Sequence, residues 1–254
     1  MSSLPAIVTP ALIASIRSYP NLPGNIWYLI AATTLSQLNR PDEISKVYQD
    51  ALRHGPCRSD GAPSHDEKLC VSRRMREALI KAAAVGGVPR TINALLELKK
   101  ATPEELLDEP EASSPSGRRA DFYDTPASQV MQRGQTFFEA IYGKISRRVM
   151  GQMDRCGTED LGLVARLVYG HVLSNTSVLN AVETSYVMIA GLIPQDVNPQ
   201  LKGHLRGALN GGATVEEVRA VRNVVVEICR AAGMKTLDPS TPAGFGWRSE
   251  VADL

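Results

Sequence analysis

Hydrophobic residues recur at three- and four-residue intervals along most of the chain, which is the spacing of one buried helical face. The clearest example begins after Thr214, where Glu217 completes a capping box that marks the first turn of a helix. The apolar stripe of this helix consists of Val218, Val221, Val225, Ile228 and Ala232. Just before it, Gly211 and Gly212 supply the backbone freedom that ends the preceding helix.

The same periodicity predicts helices on both sides of a polar segment. In the first half they are expected near residues 10–18, 25–38, 41–54, 65–85, 88–100 and 103–108. In the second half they are expected near residues 128–142, 146–154, 159–173, 178–193, 199–210 and 215–232. Ser64 and Thr102 also begin capping-box sequences, and no segment has a convincing strand pattern. We therefore predict an all-α fold.

Residues 109–126 are rich in proline, serine, glycine and charge, which is typical of a linker. The chain is accordingly divided into an N-terminal half, residues 1–108, and a C-terminal domain, residues 127–254. The two halves carry similar sequences in the same order: YLIAATTLSQLNRP from Tyr28 matches YVMIAGLIPQDVNP from Tyr186. Because the capping boxes also fall in step, we predict a tandem repeat of one helical unit.

Composition excludes several classes of protein. The chain has 254 residues, of which 43% are hydrophobic, so it can bury a sizeable core. Its formal charge of +1 does not indicate the basic surface that binds nucleic acid. Its paired arginines, such as Arg73-Arg74 and Arg118-Arg119, are interpreted as residues on solvated helix faces. No apolar run is long enough to span a membrane. Because the sequence has no secretory signal, we expect a cytoplasmic location. The first residues of the chain contain few acidic side chains, as transit peptides do, so the mitochondrion is the alternative.

The usual signatures of cofactor chemistry are missing from the sequence. The cysteines, Cys57, Cys70, Cys156 and Cys229, form no CxxC and are interpreted as reduced thiols. The four histidines show no HExxH spacing, and no glycine-rich phosphate motif or GxSxG occurs. We therefore expect no metal and no nucleotide cofactor.

Three stretches of the second half carry a family resemblance: RGQTFFEAIYG (133–143), YGHVLSNTSVLNAVETSYVMIAGL (169–192) and NPQLKGHLRGALNGGATVEEV (198–218). In this order they resemble the carboxymuconolactone decarboxylase family, which also contains the alkylhydroperoxidase D proteins. The first half resembles a divergent second copy, as in two-domain fungal members. The resemblance implies an all-α unit that assembles into homo-oligomers.

The resemblance also implies where the chemistry would lie. Peroxidase members of the family use a CxxC followed four residues later by a histidine, which is His204 here, but Val197 and Gln200 occupy the two cysteine positions. Without thiols there, thiol peroxidase activity is not expected. The decarboxylase members need no redox cysteines, and by resemblance the residues that remain for catalysis are Glu183 and His204.

Each of these candidates has a structural alternative. His204 could be a core histidine, and Glu183 could lie on a surface helical face instead of in a pocket. Tyr169 and His171, in the "YGH" sequence, are candidate substrate contacts that could equally be packing residues. Along antiparallel neighbouring helices, Glu183 and His204 would be offset by roughly 8 Å. We therefore expect a shared pocket, not a direct hydrogen bond.

Two functions agree with these observations. The first is a cofactor-independent enzyme that catalyses decarboxylation, isomerisation or lactone chemistry on a small carbonyl-containing acid, since a histidine can exchange protons near neutral pH. The second is an oligomeric binding or assembly module of the same family that has lost catalysis. The missing cysteines and the divergent first half favour the second, whereas the retained Glu183 and His204 favour the first.

Overall fold

The computed structural model describes residues 4–54, 62–108, 114–238, 240 and 244–254. The helices of the first half are α1 (Pro10–Arg17), α2 (Trp27–Gln37), α3 (Ile44–His54), α4 (His65–Gly86) and α5 (Val88–Ala101). The later helices are α6 (Arg118–Tyr123), α7 (Ala127–Tyr142), α8 (Ser146–Met153), α9 (Asp160–Val168), α10 (Ala181–Leu192), α11 (Asn198–Asn210) and α12 (Val215–Ala231). Short 3-10 turns lie at Pro41–Glu43, Glu104–Leu106, Gly143–Ile145 and Ile193–Gln195, and a π-helical turn spans Tyr169–Leu173.

The all-α prediction is confirmed. Within the described residues, the only paired strands are β1 (Lys235–Thr236) and β2 (Gly246–Trp247), which are two residues long and parallel. They belong to the segment after α12, which folds back over the molecule. Trp247 fixes this segment by donating a hydrogen bond from Nε1 to the carbonyl of Ile193, at 2.8 Å.

One local prediction was wrong. Thr102 does not begin a helix: its hydroxyl donates back to the carbonyl of Leu98 at the end of α5, and only the 3-10 turn Glu104–Leu106 follows. The proline at position 103 holds Thr102 in an extended conformation, which stops the helix at this point. The segment predicted as a linker contains a helix, α6, whose first residue Arg118 forms an ion pair described below.

Helices α2 and α10 form the centre of the molecule. Every residue of α2 is buried, as is α10 from Glu183 to Leu192, because both sequences are apolar on nearly all faces. The two helices pack against each other, and each also packs against α4 and α12. Helix α3 covers α2, and α11 covers α10. A single hydrophobic core therefore includes residues from both halves of the chain.

Helix α7 crosses the π-helical turn at a pair of glycines. A Cβ atom added to Gly134 would lie 2.5 Å from the backbone nitrogen of Gly170 and 2.6 Å from its Cα. This close backbone approach positions the residues on either side of Gly170, which are Tyr169 and His171.

Replacing Gly134 with alanine is expected to lower the free energy of unfolding by about 3 kcal/mol, because the added methyl group meets backbone that cannot move aside. Gly151→Ala in α8 is the matched control. Its Cβ would meet the flexible guanidinium of Arg155 at 3.0 Å, so its effect should stay below about 1 kcal/mol. Urea denaturation measures both variants, and equal losses would contradict the tight crossing.

Candidate functional site

Glu183 lies in the first turn of α10, and its side chain is buried. Its Oε2 accepts a hydrogen bond from the backbone nitrogen of Asn180 at 2.9 Å, and its own backbone nitrogen donates to the Asn180 side chain at 2.9 Å. This is a capping box that the sequence analysis missed, although an asparagine three residues before a glutamate is a usable signal. It explains why α10 begins at Ala181, later than predicted.

Arg74 of α4 binds the other carboxylate oxygen of Glu183. Its Nη2 donates to Oε1 at 2.7 Å, while its Nε donates to the hydroxyl of Tyr28 at 3.0 Å. Asn25 contributes its carbonyl as an acceptor for Arg74 and donates from Nδ2 to the same Glu183 oxygen, at 3.4 Å. Only 13% of the Arg74 side chain and 9% of the Glu183 side chain are exposed. The interpretation of the Arg73-Arg74 pair as a solvated face is therefore wrong for Arg74.

The electrostatics of this group favour a charged guanidinium on Arg74 beside a neutral phenol on Tyr28. Burial raises the pKa of the Tyr28 hydroxyl to about 12, although the neighbouring Arg74 acts in the opposite direction. Burial by itself would lower the pKa of Arg74, but its contacts with Tyr28 and Glu183 raise the pKa above its ordinary value. At neutral pH the guanidinium is charged and the phenol holds its proton.

A cavity of about 360 Å³ lies beside Arg74. Its polar lining includes Asp66, Cys70, Arg73, Arg74 and Ser177. Two guanidinium groups near a hydroxyl are the donors that bind a small carboxylate well. The cavity is therefore chemically suited to a small acid.

His204 lies in the middle of α11 and is 4% exposed. Its ring contacts the ring of Tyr142 edge-on, with 6.0 Å between the centroids, and its Nδ1 has no hydrogen-bond partner among the described residues. Burial lowers the pKa of the imidazole to about 4. The ring is therefore neutral at physiological pH, and neither of its nitrogens forms a hydrogen bond to a described residue.

Tyr169 and His171 lie on the same π-helical turn but have different neighbours. The hydroxyl of Tyr169 donates to that of Tyr142 at 3.4 Å, so Tyr169 joins the aromatic group around His204. The ring of His171 lies against Phe122, with 4.7 Å between centroids, and its buried Nδ1 has no partner among the described residues. The two candidate substrate contacts thus fall in separate surroundings.

Glu183 and His204 lie on neighbouring antiparallel helices, and none of the described hydrogen bonds joins them. The contact between Val182, near the start of α10, and Gly211, at the end of α11, shows how the two helices are aligned. A Cβ atom added to Gly211 would lie 3.3 Å from Cγ2 of Val182. His204 is nearly two turns before Gly211, so it is offset from Glu183 by about 10 Å along the axes. Neither Glu183 nor His204 lines the cavity beside Arg74 or the other three cavities of the described residues for which the lining is known. The shared pocket for the two residues stays a prediction.

A second buried ionic group was missed by the sequence analysis. Arg118 of α6 donates to both carboxylate oxygens of Glu77 on α4. One helical turn further along α4, Lys81 is fully buried and donates from Nζ to the carbonyls of Leu173 and Asn175, at 2.8 and 2.7 Å. Burial lowers the pKa of Lys81 to about 7, against the opposing effect of Glu77. These contacts fasten α6 and the π-helical turn to α4.

The remaining sequence candidates are located as follows. Cys229 is buried, and burial raises the pKa of its thiol; Cys70 and Cys156 are exposed, and Cys57 lies outside the described residues. No described group of three or more histidine, cysteine or acidic residues could hold a metal ion. In the part of the chain that the structure describes, no helix has the length and hydropathy needed to cross a membrane.

The chain is similar to two yeast proteins that share one name. It is 38% identical over 210 residues to Peroxisomal protein 2 of Schizosaccharomyces pombe, covering 82% of this chain and 87% of that protein. It is 34% identical over 287 aligned positions to Peroxisomal protein 2 of Saccharomyces cerevisiae, covering 96% and 97%. The chain therefore belongs to this fungal family of proteins named Peroxisomal protein 2.

No family model matches the chain, and no solved structure matches it. The resemblance to carboxymuconolactone decarboxylases therefore rests on the quoted residues alone. The expected location was wrong, because both relatives are named as peroxisomal, which points away from the cytoplasm and the mitochondrion. Peroxisomal addresses are read by receptors from short signals, so composition and charge carry little information about them.

Proposed function

We propose that this protein is a peroxisomal enzyme that transfers a proton on a small carboxylic acid without a cofactor. The reaction would belong to the decarboxylase branch of the resembling family: decarboxylation, isomerisation or lactone chemistry. One observation carries the proposal: Arg74, the guanidinium that holds the buried carboxylate of Glu183, also lines a cavity of about 360 Å³.

The hydrogen bonds of Arg74 suggest how a substrate would bind. Nε and Nη2 are used by Tyr28, Asn25 and Glu183, whereas Nη1 makes no hydrogen bond to a described residue. A substrate carboxylate in the cavity can accept hydrogen bonds from Nη1 and from the neighbouring Arg73. Glu183 does not line the cavity itself, so it would act as the base from behind Arg74, on a substrate that the same guanidinium holds.

His204 is the second catalytic candidate in this proposal. It is a neutral imidazole, so one of its two ring nitrogens carries no hydrogen and can accept a proton. Because it is offset from Glu183 by about 10 Å along the helices, its participation requires a water molecule or the substrate itself to connect the two groups.

Proton transfer can be tested without knowing the substrate. In D₂O, hydrogen on the carbon next to a carbonyl exchanges for deuterium, and ¹H NMR detects its loss across a panel of small oxo acids and lactones. Glu183→Gln and His204→Ala are each expected to lower this exchange by about a hundredfold or more, with losses far from additive. Folding should be largely retained in His204→Ala.

Glu43→Gln is the matched control, because Glu43 is also buried but accepts a hydrogen bond from the backbone of Val8, and neither residue lines the cavity. Its exchange rate should equal that of the unmodified protein. An unchanged rate in Glu183→Gln would overturn the proposed role of that residue. The proposal also implies no thiol peroxidase activity, and hydroperoxide turnover that required Cys156 or Cys229 would contradict it.

A binding or assembly module is the second candidate function. It is favoured by the complete hydrogen bonding of Glu183, whose carboxylate already accepts from Asn180, Asn25 and Arg74. It is also favoured by α9, where Leu161, Leu163, Val164 and Leu167 are each about half exposed. Such an apolar surface usually marks an interface, so we propose a homo-oligomer under either function. Light scattering that gave a monomer at micromolar concentration would contradict this.

The repeat is likewise part of the proposal. The order α2, α3, α4 matches α10, α11, α12, and the third helix of each set begins with a capping box. Asn25 and Glu183, which stand at equivalent positions three residues before Tyr28 and Tyr186, contact each other at 3.4 Å. This is the arrangement expected near an axis that relates two copies. Failure of residues 25–85 to superpose on residues 183–232 would contradict the repeat.

A further inference from the structure

A second cleft, of about 550 Å³, lies between α8 and the first half of α11. It shares no lining residue with the cavity beside Arg74. Three cations line it: Arg148 from α8, and Lys202 and Arg206 from α11. The described ion pairs include none of the three, so their charges are not neutralised within the described chain. Asp253 is the one acidic side chain of the lining, at 3.8 Å from Arg219, and Leu254 lines the cleft beside it.

The cleft also has an apolar wall. Ile145, which directly precedes α8, and Val149, one turn into α8, line the cleft together with Leu205 of α11. A row of unpaired cations beside an apolar surface favours a ligand with a charged head and a hydrocarbon part. A volume of about 550 Å³ is within the range of small-molecule sites.

An independent observation lies behind the wall of the cleft. Tyr142 lines the cleft, and its ring also packs against the ring of His204, with 6.0 Å between the centroids and an interplanar angle of 69°. Gly203 provides the room for this ring, because a Cβ there would lie 2.9 Å from Tyr142 Cε1. The buried Nδ1 of His204 has no partner among the described residues, and an unsatisfied buried polar atom is uncommon in a native protein.

We propose that this cleft binds a small anion that carries a short hydrocarbon chain. Its carboxylate or phosphate group is held by Arg148, Lys202 and Arg206, and its chain lies on Ile145 and Val149. Binding next to Tyr142 changes the surroundings of the His204 ring. The site is separate from the Arg74 cavity, so it stands or falls independently of the proposed reaction there.

Isothermal titration calorimetry at low salt tests the proposal with octanoate, octyl phosphate, acetate and inorganic phosphate. Octanoate or octyl phosphate is expected to bind, and which of the two binds more tightly identifies the head group. Acetate and inorganic phosphate should bind at least about tenfold more weakly, because they lack the chain. Equal affinity for inorganic phosphate and the chain-bearing anions would overturn the amphipathic site, as would the absence of binding by all four.

The double variant Lys202→Glu/Arg206→Glu is expected to weaken binding of the chain-bearing anion by about a hundredfold. The double variant Lys99→Glu/Lys235→Glu gives the same change in net charge at two exposed positions elsewhere, and it should bind normally. Thermal melting checks that both variants fold. Equal losses in the two would show non-specific attraction and overturn the site.

The imidazole of His204 provides a second readout in the unmodified protein. With ¹³C-labelled histidine, saturation by the chain-bearing anion is expected to shift the His204 resonance, and the same concentration of acetate is not. A ligand that binds without moving this resonance would contradict its placement against Tyr142.

Discussion

Replacing Arg74 with alanine is expected to lower the free energy of unfolding by about 4 kcal/mol, because it leaves the carboxylate of Glu183 buried without its counter-ion. The same change removes two further hydrogen bonds, which Arg74 donates to the hydroxyl of Tyr28 and to the backbone carbonyl of Asn25. Equilibrium denaturation in urea measures the loss. Arg74 connects α2, α4 and α10, so the effect should extend to the whole fold and not to one helix end.

Arg73→Ala is the matched control for this prediction. Arg73 is the neighbouring residue, but 38% of its side chain is exposed, and its partner is Asp108. A partly solvated pair of this kind contributes at most about 1 kcal/mol. The double variant Arg74→Ala/Glu183→Gln should recover part of the loss, because no charge is then left unpaired. A loss in Arg74→Ala no larger than that in Arg73→Ala would contradict the buried ion pair.

Replacing Lys81 with alanine is also expected to cost about 4 kcal/mol, because it removes the donor shared by buried carbonyls at the end of the π-helical turn. The same change leaves a void in the core. Lys81→Met restores most of the hydrocarbon volume but no hydrogen-bond donor. Compared with Lys81→Ala, it should therefore recover only the part of the unfolding free energy that is lost through the void. A methionine variant as stable as the unmodified protein would show that the hydrogen bonds of Lys81 contribute nothing.

The pH dependence of stability separates the charge of Lys81 from its packing. Burial lowers the pKa of this group from 10.5 to about 7 in the folded protein. Between these pH values the unfolded chain binds the proton and the folded chain has released it, so stability should rise with pH across this window. Below pH 7 Lys81 is protonated in both the folded and the unfolded chain, so it makes no contribution to the pH dependence of stability there. The difference in unfolding free energy between the unmodified protein and Lys81→Met, measured at each pH, should show this rise.

Several elements could be predicted because their determinants are local. The capping boxes at Ser64 and Thr214 were read from residues three apart, and the structure contains both with their reciprocal hydrogen bonds. The stripe from Val218 to Ile228 is buried along α12 as its period required. The same local reading was wrong at Thr102, where the contact that formed was with the preceding turn of α5.

The candidate site was only partly accessible from the sequence. Glu183 and His204 were identified by resemblance, and whether they act in catalysis stays a prediction. Arg74, which binds Glu183, was interpreted as solvated because nothing near it in the sequence shows a partner. The ion pair spans 109 residues, and that of Arg118 with Glu77 spans 41, so only packing of the helices reveals them.

The sequence by itself therefore determined the helical class, most helix positions and the faces they bury, because hydrogen bonds within helices and apolar periodicity act over a few residues. Tertiary structure alone decided which charges are buried and paired. It also decided that His204 contacts Tyr142 and that the two cavities are distinct. These contacts and cavities involve side chains that meet only after separate helices pack. The energies of the buried ion pairs depend on desolvation, which occurs only in the folded core.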